Sequence, residues 1–437
     1  MARRTTPTAA DARRAGQLLL ASSAIGALNT VNGRRPLARK GPAGILAFSA
    51  GFPTSEWPLH AVGWQALATL GFVRKGALRT TAGWAGLGLA AASWAGLYRI
   101  WTDAHEATEV FDEALGDVFG DELGPVDAEL AARPTLPRRV RRQRAVMAPL
   151  PRHRRLHVTP ERSNLPYGEA GKRNTLDIWR PKDLPADAKA PVIIEVHGGA
   201  WVIGNKEQQA MPLLSHLVDN GWICVSINYR LSPRATWPDQ IVDVKQAIAW
   251  VKAHIAEYGG DPAFVAITGG SAGGHLSSLA ALTPNEPEFQ PGFEEADTSV
   301  VAAVPFYGVY DWTNRDGTGR ADMEEFLGKY VLKASRVDQP ELWDKASTMS
   351  WVRPDAPPFF IIHGTNDTLV PVEQARAFAA LLRAESKNPV VYAELDGAQH
   401  AFELGDSPRT FATVRAVHRF LETIRAREGH TGVGAAL

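Results

Sequence analysis

The sequence predicts an α/β protein with a doubly wound, mostly parallel sheet and a set of hydrophobic N-terminal helices. Three observations point to it. Near-continuous apolar runs of β-type residues recur at 192–196, 223–227, 265–268, 300–307, 359–363 and 390–395. They lack the alternation of apolar and polar residues that a half-exposed strand shows, so both faces are covered. Helical patterns at 207–220, 240–258, 272–282, 372–385 and 409–427 lie between and after them, and right-handed crossovers then lay helices on both sides of a parallel sheet. The length of 437 residues exceeds a single core of ~250–300 residues, which leaves room for an additional region.

Taken in order, residues 1–101 form a hydrophobic N-terminal region. The segment "TTAGWAGLGLAAASWAGLY" at 80–98 has nineteen residues without a charge, long enough to cross a bilayer as a helix. "GPAGILAFSAGFPTS" and "WPLHAVGWQALATLGFV" are separated only by Glu56. Trp57, Trp64, Trp84, Trp94 and Trp101 sit where interfacial anchors often sit. Membrane attachment by two or three such helices is the expectation, with burial against a soluble domain in the cytoplasm as the alternative. Residues 102–165 are an acidic helical stretch followed by a proline- and arginine-rich linker. The strand–helix alternation occupies 166–430, interrupted at about 311–350 by extra helices.

Charge and cysteine usage exclude several classes. The 47 basic and 47 acidic residues balance, so the electrostatic footprint of a nucleic-acid binder is missing. The short basic clusters at 138–144 and at Arg152, Arg154 and Arg155 suit a solvated linker or a membrane surface. The lone Cys224, within "WICVSINY", behaves as a buried hydrophobe. No Cys/His spacing calls for a metal.

The chemistry is carried by "TGGSAGGHLSS" at 268–278. Gly269-Gly270-Ser271-Ala272-Gly273 matches G-x-S-x-G between a strand and a helix, the setting of a nucleophile elbow. A serine hydroxyl needs a base, and the base needs an orienting carboxylate. In the chain order this elbow demands, Asp367 follows one strand in "FFIIHGTNDTLVP" and His400 follows the last in "VVYAELDGAQHAF". Asp396 is a competing acid on the loop of His400. His275, one helical turn after Ser271, reads as a packing residue, and His363 as a brace for the loop of Asp367. Upstream, His197-Gly198-Gly199-Ala200-Trp201 follows the first strongly apolar strand. The amides of Gly199 and Ala200, with that of Ala272, are the candidate oxyanion donors, in a loop kept bare by glycine.

Together, H-G-G-x-W at 197–201, "INYRLSP" at 227–233, "GGDP" at 259–262, "GGSAGG" at 269–274, "HGTND" at 363–367 and His400 resemble the hormone-sensitive-lipase-like branch of the α/β-hydrolase superfamily. The resemblance covers about residues 160–427. It implies a serine carboxylesterase or lipase that acts on small-molecule or lipid esters without metal or cofactor, under a helical cap built from about 102–165 and an insertion at about 311–350, where Trp312, Phe326 and Tyr330 are candidates to line an acyl pocket. Many members read H-G-G-G, whereas this chain has Ala200-Trp201, a form also similar to arylformamidases, so amide substrates stay open. The N-terminus resembles that of extended, membrane-associated actinobacterial esterases. A hydrolase-fold receptor without catalysis is a third reading, but such proteins lack a triad member and none is missing here.

Overall fold

The computed structural model describes residues 7–123, 157–315 and 317–429. The linker with its basic clusters, 124–156, therefore lies outside the described residues. An eight-stranded sheet, ordered β1-β2-β4-β3-β5-β6-β7-β8, is built from β1 (Leu165–Pro166), β2 (Thr175–Trp179), β3 (Ala190–Val196), β4 (Ile223–Ile227), β5 (Gly260–Gly270), β6 (Ala303–Phe306), β7 (Phe359–Gly364) and β8 (Val390–Leu395). Strands β3 to β8 run parallel, and β1 and β2 form an antiparallel edge. The parallel portion matches the expected runs. The two edge strands were absent from that reading: β1 has only two residues, and β2 carries Asp177 in a fully buried position.

Among the described residues twelve α-helices accompany the sheet: α1 (Ala9–Arg34), α2 (Gly41–Glu56), α3 (Pro58–Arg74), α4 (Thr81–Asp103), α5 (Ala107–Phe119), α6 (Met211–Asp219), α7 (Asp239–His254), α8 (Ala272–Leu282), α9 (Ala321–Phe326), α10 (Pro340–Ala346), α11 (Val372–Glu385) and α12 (Pro408–Arg427). Two buried clusters cover the two faces. One joins β-strand side chains to Ile241, Val244 and Ile248 of α7, Leu276 and Leu279 of α8, and Phe378 and Leu382 of α11. The other joins them to Phe111 and Leu115 of α5, Leu214 and Leu217 of α6, and Val417, Phe420 and Leu421 of α12. Thus α5 packs under the sheet with α12. The segment 311–350 holds α9 and α10 between β6 and β7.

The first four helices pack on one another through small residues. Gly86 of α4 meets the backbone of α1 so closely that a Cβ would lie 2.7 Å from the Leu20 nitrogen. Thr30 of α1 and Ser93 of α4 share a buried hydroxyl–hydroxyl bond of 2.8 Å. The expected bilayer-crossing helices are not met: among the described residues, no helix is long and apolar enough to cross a membrane. Helices α2 and α3 have 16 and 17 residues, short of the ~20 a span needs. In α4, glycine, alanine, serine and threonine dilute the apolar content, and those small residues serve helix-to-helix approach.

Candidate active site

The order of the sheet decides where chemistry can occur. The chain winds outward from β3 to β4, then returns to lay β5 on the other side of β3, so the loops leaving β3 and β5 face each other across a switch point. Register pairs Val196 with Gly269. His197-Gly198-Gly199 and Gly270-Ser271 are thereby neighbours, and a Cβ at Gly198 would come within 2.6 Å of the Gly270 carbonyl oxygen.

Ser271 stands between the end of β5 and the start of α8 with φ 58° and ψ −118°, a strained backbone for a residue with a side chain. Its amide donates to Phe306 O and its carbonyl accepts from His275 N, each at 3.0 Å. Glycines make the turn physically feasible. A Cβ at Gly273 would overlap the carbonyl oxygen of Val196. Gly273→Ala is therefore expected to displace α8 or β3, with an overpacking cost of ~1–3 kcal/mol. Ester turnover is expected to fall at least ~10²-fold as the oxyanion donors shift. Thermal melts and initial rates on the purified variant check both.

The loop from β3 turns through left-handed backbone at Ala200 (φ 51°) and Trp201 (φ 60°), with Gly199 at φ 121°. The Gly198 amide is committed to Gln209 Oε1 at 2.7 Å. Among the described residues the Gly199 and Ala200 amides donate no hydrogen bond, and the Ala272 amide opens α8, where a helix has no internal acceptor. Three donors are thus free beside Ser271. Tyr229, from the "INYRLSP" stretch, pins this loop: its hydroxyl donates to His197 O at 2.9 Å and its ring stacks on His197 at 4.3 Å. Burial lowers His197 to about 4, so its ring is a neutral packing group whose Nδ1–H donates to Gly198 O at 2.7 Å.

The loops after β7 and β8 bring Asp367 and His400 together. His400 Nδ1 lies 2.6 Å from Asp367 Oδ2, and both side chains are buried. Asp367 Oδ1 accepts from the Leu369 and Val370 amides, each at 2.8 Å. His363 Nε2 approaches Asp367 Oδ2 at 3.2 Å and Val370 O at 3.1 Å, so it braces the acid from below. Burial alone would raise the Asp367 carboxyl. The opposing charge and hydrogen bonds of His400 and His363 outweigh it and hold the group well below the usual carboxylate range. Asp396 instead accepts from Thr365 Oγ1 at 3.1 Å.

His275 is fully buried, with Nε2 2.7 Å from Ala346 O and Nδ1 3.2 Å from the Trp201 indole nitrogen. Trp201 is only a donor, so Nδ1 accepts and Nε2–H donates. Burial lowers this histidine to about 3. Trp312 stacks on it at 4.5 Å, which makes Trp312 a core residue behind the elbow helix. Phe326 and Tyr330 pair with each other at 5.3 Å.

Comparison with known proteins fits this geometry. The BD-FAE family profile matches residues 176–382. The chain is 47% identical to a probable carboxylic ester hydrolase, LipM, of Mycobacterium tuberculosis over 96% of this chain and 95% of that one. The chain belongs to the hormone-sensitive-lipase-like carboxylesterases of the α/β-hydrolase superfamily. It is also 43% identical to the esterase LipQ of the same organism, over 97% of this chain and 94% of that one. A solved thermophilic esterase of Thermogutta terrifontis, with propionate bound, superposes with a TM-score of 0.52 at 28% identity, covering 61% of this chain and 95% of that one.

In this carboxylesterase the N-terminal bundle touches the site, which residue patterns did not reveal. Arg39 donates to Thr365 O at 2.9 Å and to Asn366 Oδ1 at 3.2 Å. Thr368 Oγ1 donates to Gly44 O of α2 at 2.9 Å. Phe48 of α2 meets the His400 ring edge-on at 6.1 Å between centroids. At the end of α2, Glu56 forms a buried pair with Arg409 of α12 at 3.2 Å. Helix α2 thus roofs the loops that carry both acid and base. The weak signal that could have found it was Phe48 and Phe52, four apart in a helix otherwise rich in small residues.

Proposed function

We propose that this carboxylesterase cleaves carboxylic esters through an acyl-enzyme on Ser271, with His400 as general base and then general acid, and Asp367 orienting it. The observation that carries the reading is the His400–Asp367 bond, which commits Nδ1–H to the carboxylate and leaves Nε2 as the basic nitrogen. Ser271 Oγ attacks the ester carbonyl while Nε2 takes its proton. The tetrahedral oxyanion is received by the amides of Gly199, Ala200 and Ala272. Collapse expels the alcohol, which takes the proton from His400, and water repeats the sequence to release the acid. No metal or cofactor enters these steps. Initial rates on p-nitrophenyl esters of several acyl lengths, beside N-formylkynurenine, test the substrate class. Ester turnover is expected to dominate, and a formamide preference would move the reading to an amide hydrolase.

The substrate class extends to lipid esters at a membrane surface. Among the described residues, all large exposed hydrophobics except Ile203, Tyr330, Val337 and Phe411 lie in α1–α4 and the turns between them, with Leu46, Trp64 and Ile25 at least 70% exposed. Apolar surface of this kind marks an interaction face, and helices can rest in the lipid interface without spanning it. Helix α2 turns Ile45 and Leu46 outward while Phe48 packs towards the core and His400. Cosedimentation with phospholipid vesicles is expected for the full chain and is expected to fall at least ~10-fold for Leu46→Glu/Trp64→Glu, with p-nitrophenyl acetate turnover retained. Equal recovery of both proteins in the supernatant would remove the membrane from this reading.

A further inference from the structure

We propose that Tyr307 and Glu403 are positioning residues for His400, holding its imidazole between the nucleophile elbow and a second buried carboxyl group. The proposal deepens the reading above and rests on His400 being the base. Tyr307 follows β6 with φ 37°, and its ring lies 4.4 Å from the His400 ring, inclined by 53°. A Cβ at Gly270 would come within 2.7 Å of its phenol oxygen. Its hydroxyl donates to Glu403 Oε1. One side chain therefore touches the residue before the nucleophile, the ring of the base and a carboxyl group.

Glu403 lies three residues after His400, in the short 3-10 turn Phe402–Leu404, so its backbone is tied to that of the base. It is buried, and its Oε2 has no partner among the described residues. A buried carboxyl oxygen without a partner is costly, and packing alone would be served by an apolar residue. The groups facing it come from several elements. Glu195 of β3 is buried with its own Oε2 unpartnered, and burial, with the nearby Glu403, raises its carboxyl well above the ordinary value. Glu56 of α2 faces it while paired with Arg409 of α12. Asp367, ionised, faces Tyr307 from the β7 loop. Burial pushes Glu403 up to about 7, with the Tyr307 hydroxyl and the nearby His400 favouring the charged form and Glu56 opposing it.

An ionised Glu403 would stabilise the imidazolium that forms when Nε2 takes the serine proton. Removing that negative charge is expected to move the acid limb of kcat/KM to lower pH. Glu403→Gln keeps size and shape and avoids burying a carboxyl group, so it is expected to fold. The limb is expected to shift down by about half a unit or more. Loss of the charge is expected to lower kcat ~10-fold with KM within about twofold, a fraction of what general-base catalysis supplies. Tyr307→Phe, which takes away the hydrogen bond that favours ionised Glu403, is expected to move the limb the same way. The experiment is the pH profile of p-nitrophenyl butyrate hydrolysis for wild type, both variants and His400→Ala, with melting temperatures alongside; if Tyr307→Phe does not fold, Glu403→Gln decides. An unmoved limb with kcat within about twofold of wild type, or an upward shift, overturns the proposal while His400→Ala remains inactive. Turnover by His400→Ala together with a wild-type profile lacking an acid limb would instead sink the underlying assignment of the base.

Discussion

Ser271→Ala is expected to lower kcat/KM for p-nitrophenyl esters by ~10⁴–10⁶-fold, with a melting temperature within a few degrees of wild type. In the proposed mechanism the loss is large because the hydroxyl both supplies the covalent bond of the intermediate and donates the proton that His400 takes. It does not reach the uncatalysed rate, because the free amides of Gly199, Ala200 and Ala272 still stabilise an oxyanion generated by water. The strained backbone at φ 58° is held by glycines at 269, 270 and 273 and by the Phe306 and His275 bonds, none of which involves the hydroxyl. Folding is thus separated from chemistry in this variant. Activity within about tenfold of wild type would show that another nucleophile operates.

Asp367→Asn is expected to cost ~10³–10⁴-fold in kcat/KM at pH 8, for a reason specific to this loop. Oδ1 is held by the Leu369 and Val370 amides, so an asparagine would place its oxygen there and turn its NH₂ towards His400 and His363. His363 Nε2–H already donates towards this position and to Val370 O. His400 Nδ1 could then only accept, which moves its proton to Nε2, where it blocks the general base. The His363 donor that opposes the new amide NH₂ also destabilises the fold, and a melting temperature lowered by several degrees is expected from this unsatisfied buried contact. Rates and melts on the same preparation separate the two effects. An Asp396→Asn variant is expected to leave turnover nearly unchanged, since that carboxylate accepts from Thr365 at the surface.

Much of this site was legible in the sequence because its parts obey local rules. The parallel strands are buried on both faces, so their apolar runs announce themselves, and each chemical residue follows one of them. Ser271, Asp367 and His400 come in the order the elbow requires, and the structure brings Asp367 and His400 into direct contact. What was hidden depends on contacts between distant segments. Phe48 reaches His400 across most of the chain, and nothing in the spacing of α2 marks it as a roof rather than a membrane span. The same glycines and alanines that suggested a bilayer helix serve the close approach of α1 and α4. Glu403, read in isolation, is an ordinary charged residue in a turn; only the packing of β3, β6 and α2 around it makes it a buried carboxyl. The sequence already favours Asp367 over Asp396, which shares the loop of His400, and the structure turns Asp367 inward to His400 and leaves Asp396 on Thr365.

The central claim is that a covalent intermediate forms on Ser271, and active-site labelling tests it directly. Wild-type protein treated with a fluorophosphonate, digested and mapped by mass spectrometry, should carry one stoichiometric adduct, on Ser271 and not on Ser277 or Ser278 of the same stretch. The label should be absent from Ser271→Ala, with turnover lost in parallel with labelling. An adduct on a different residue, or undiminished ester hydrolysis by fully labelled protein, would contradict it.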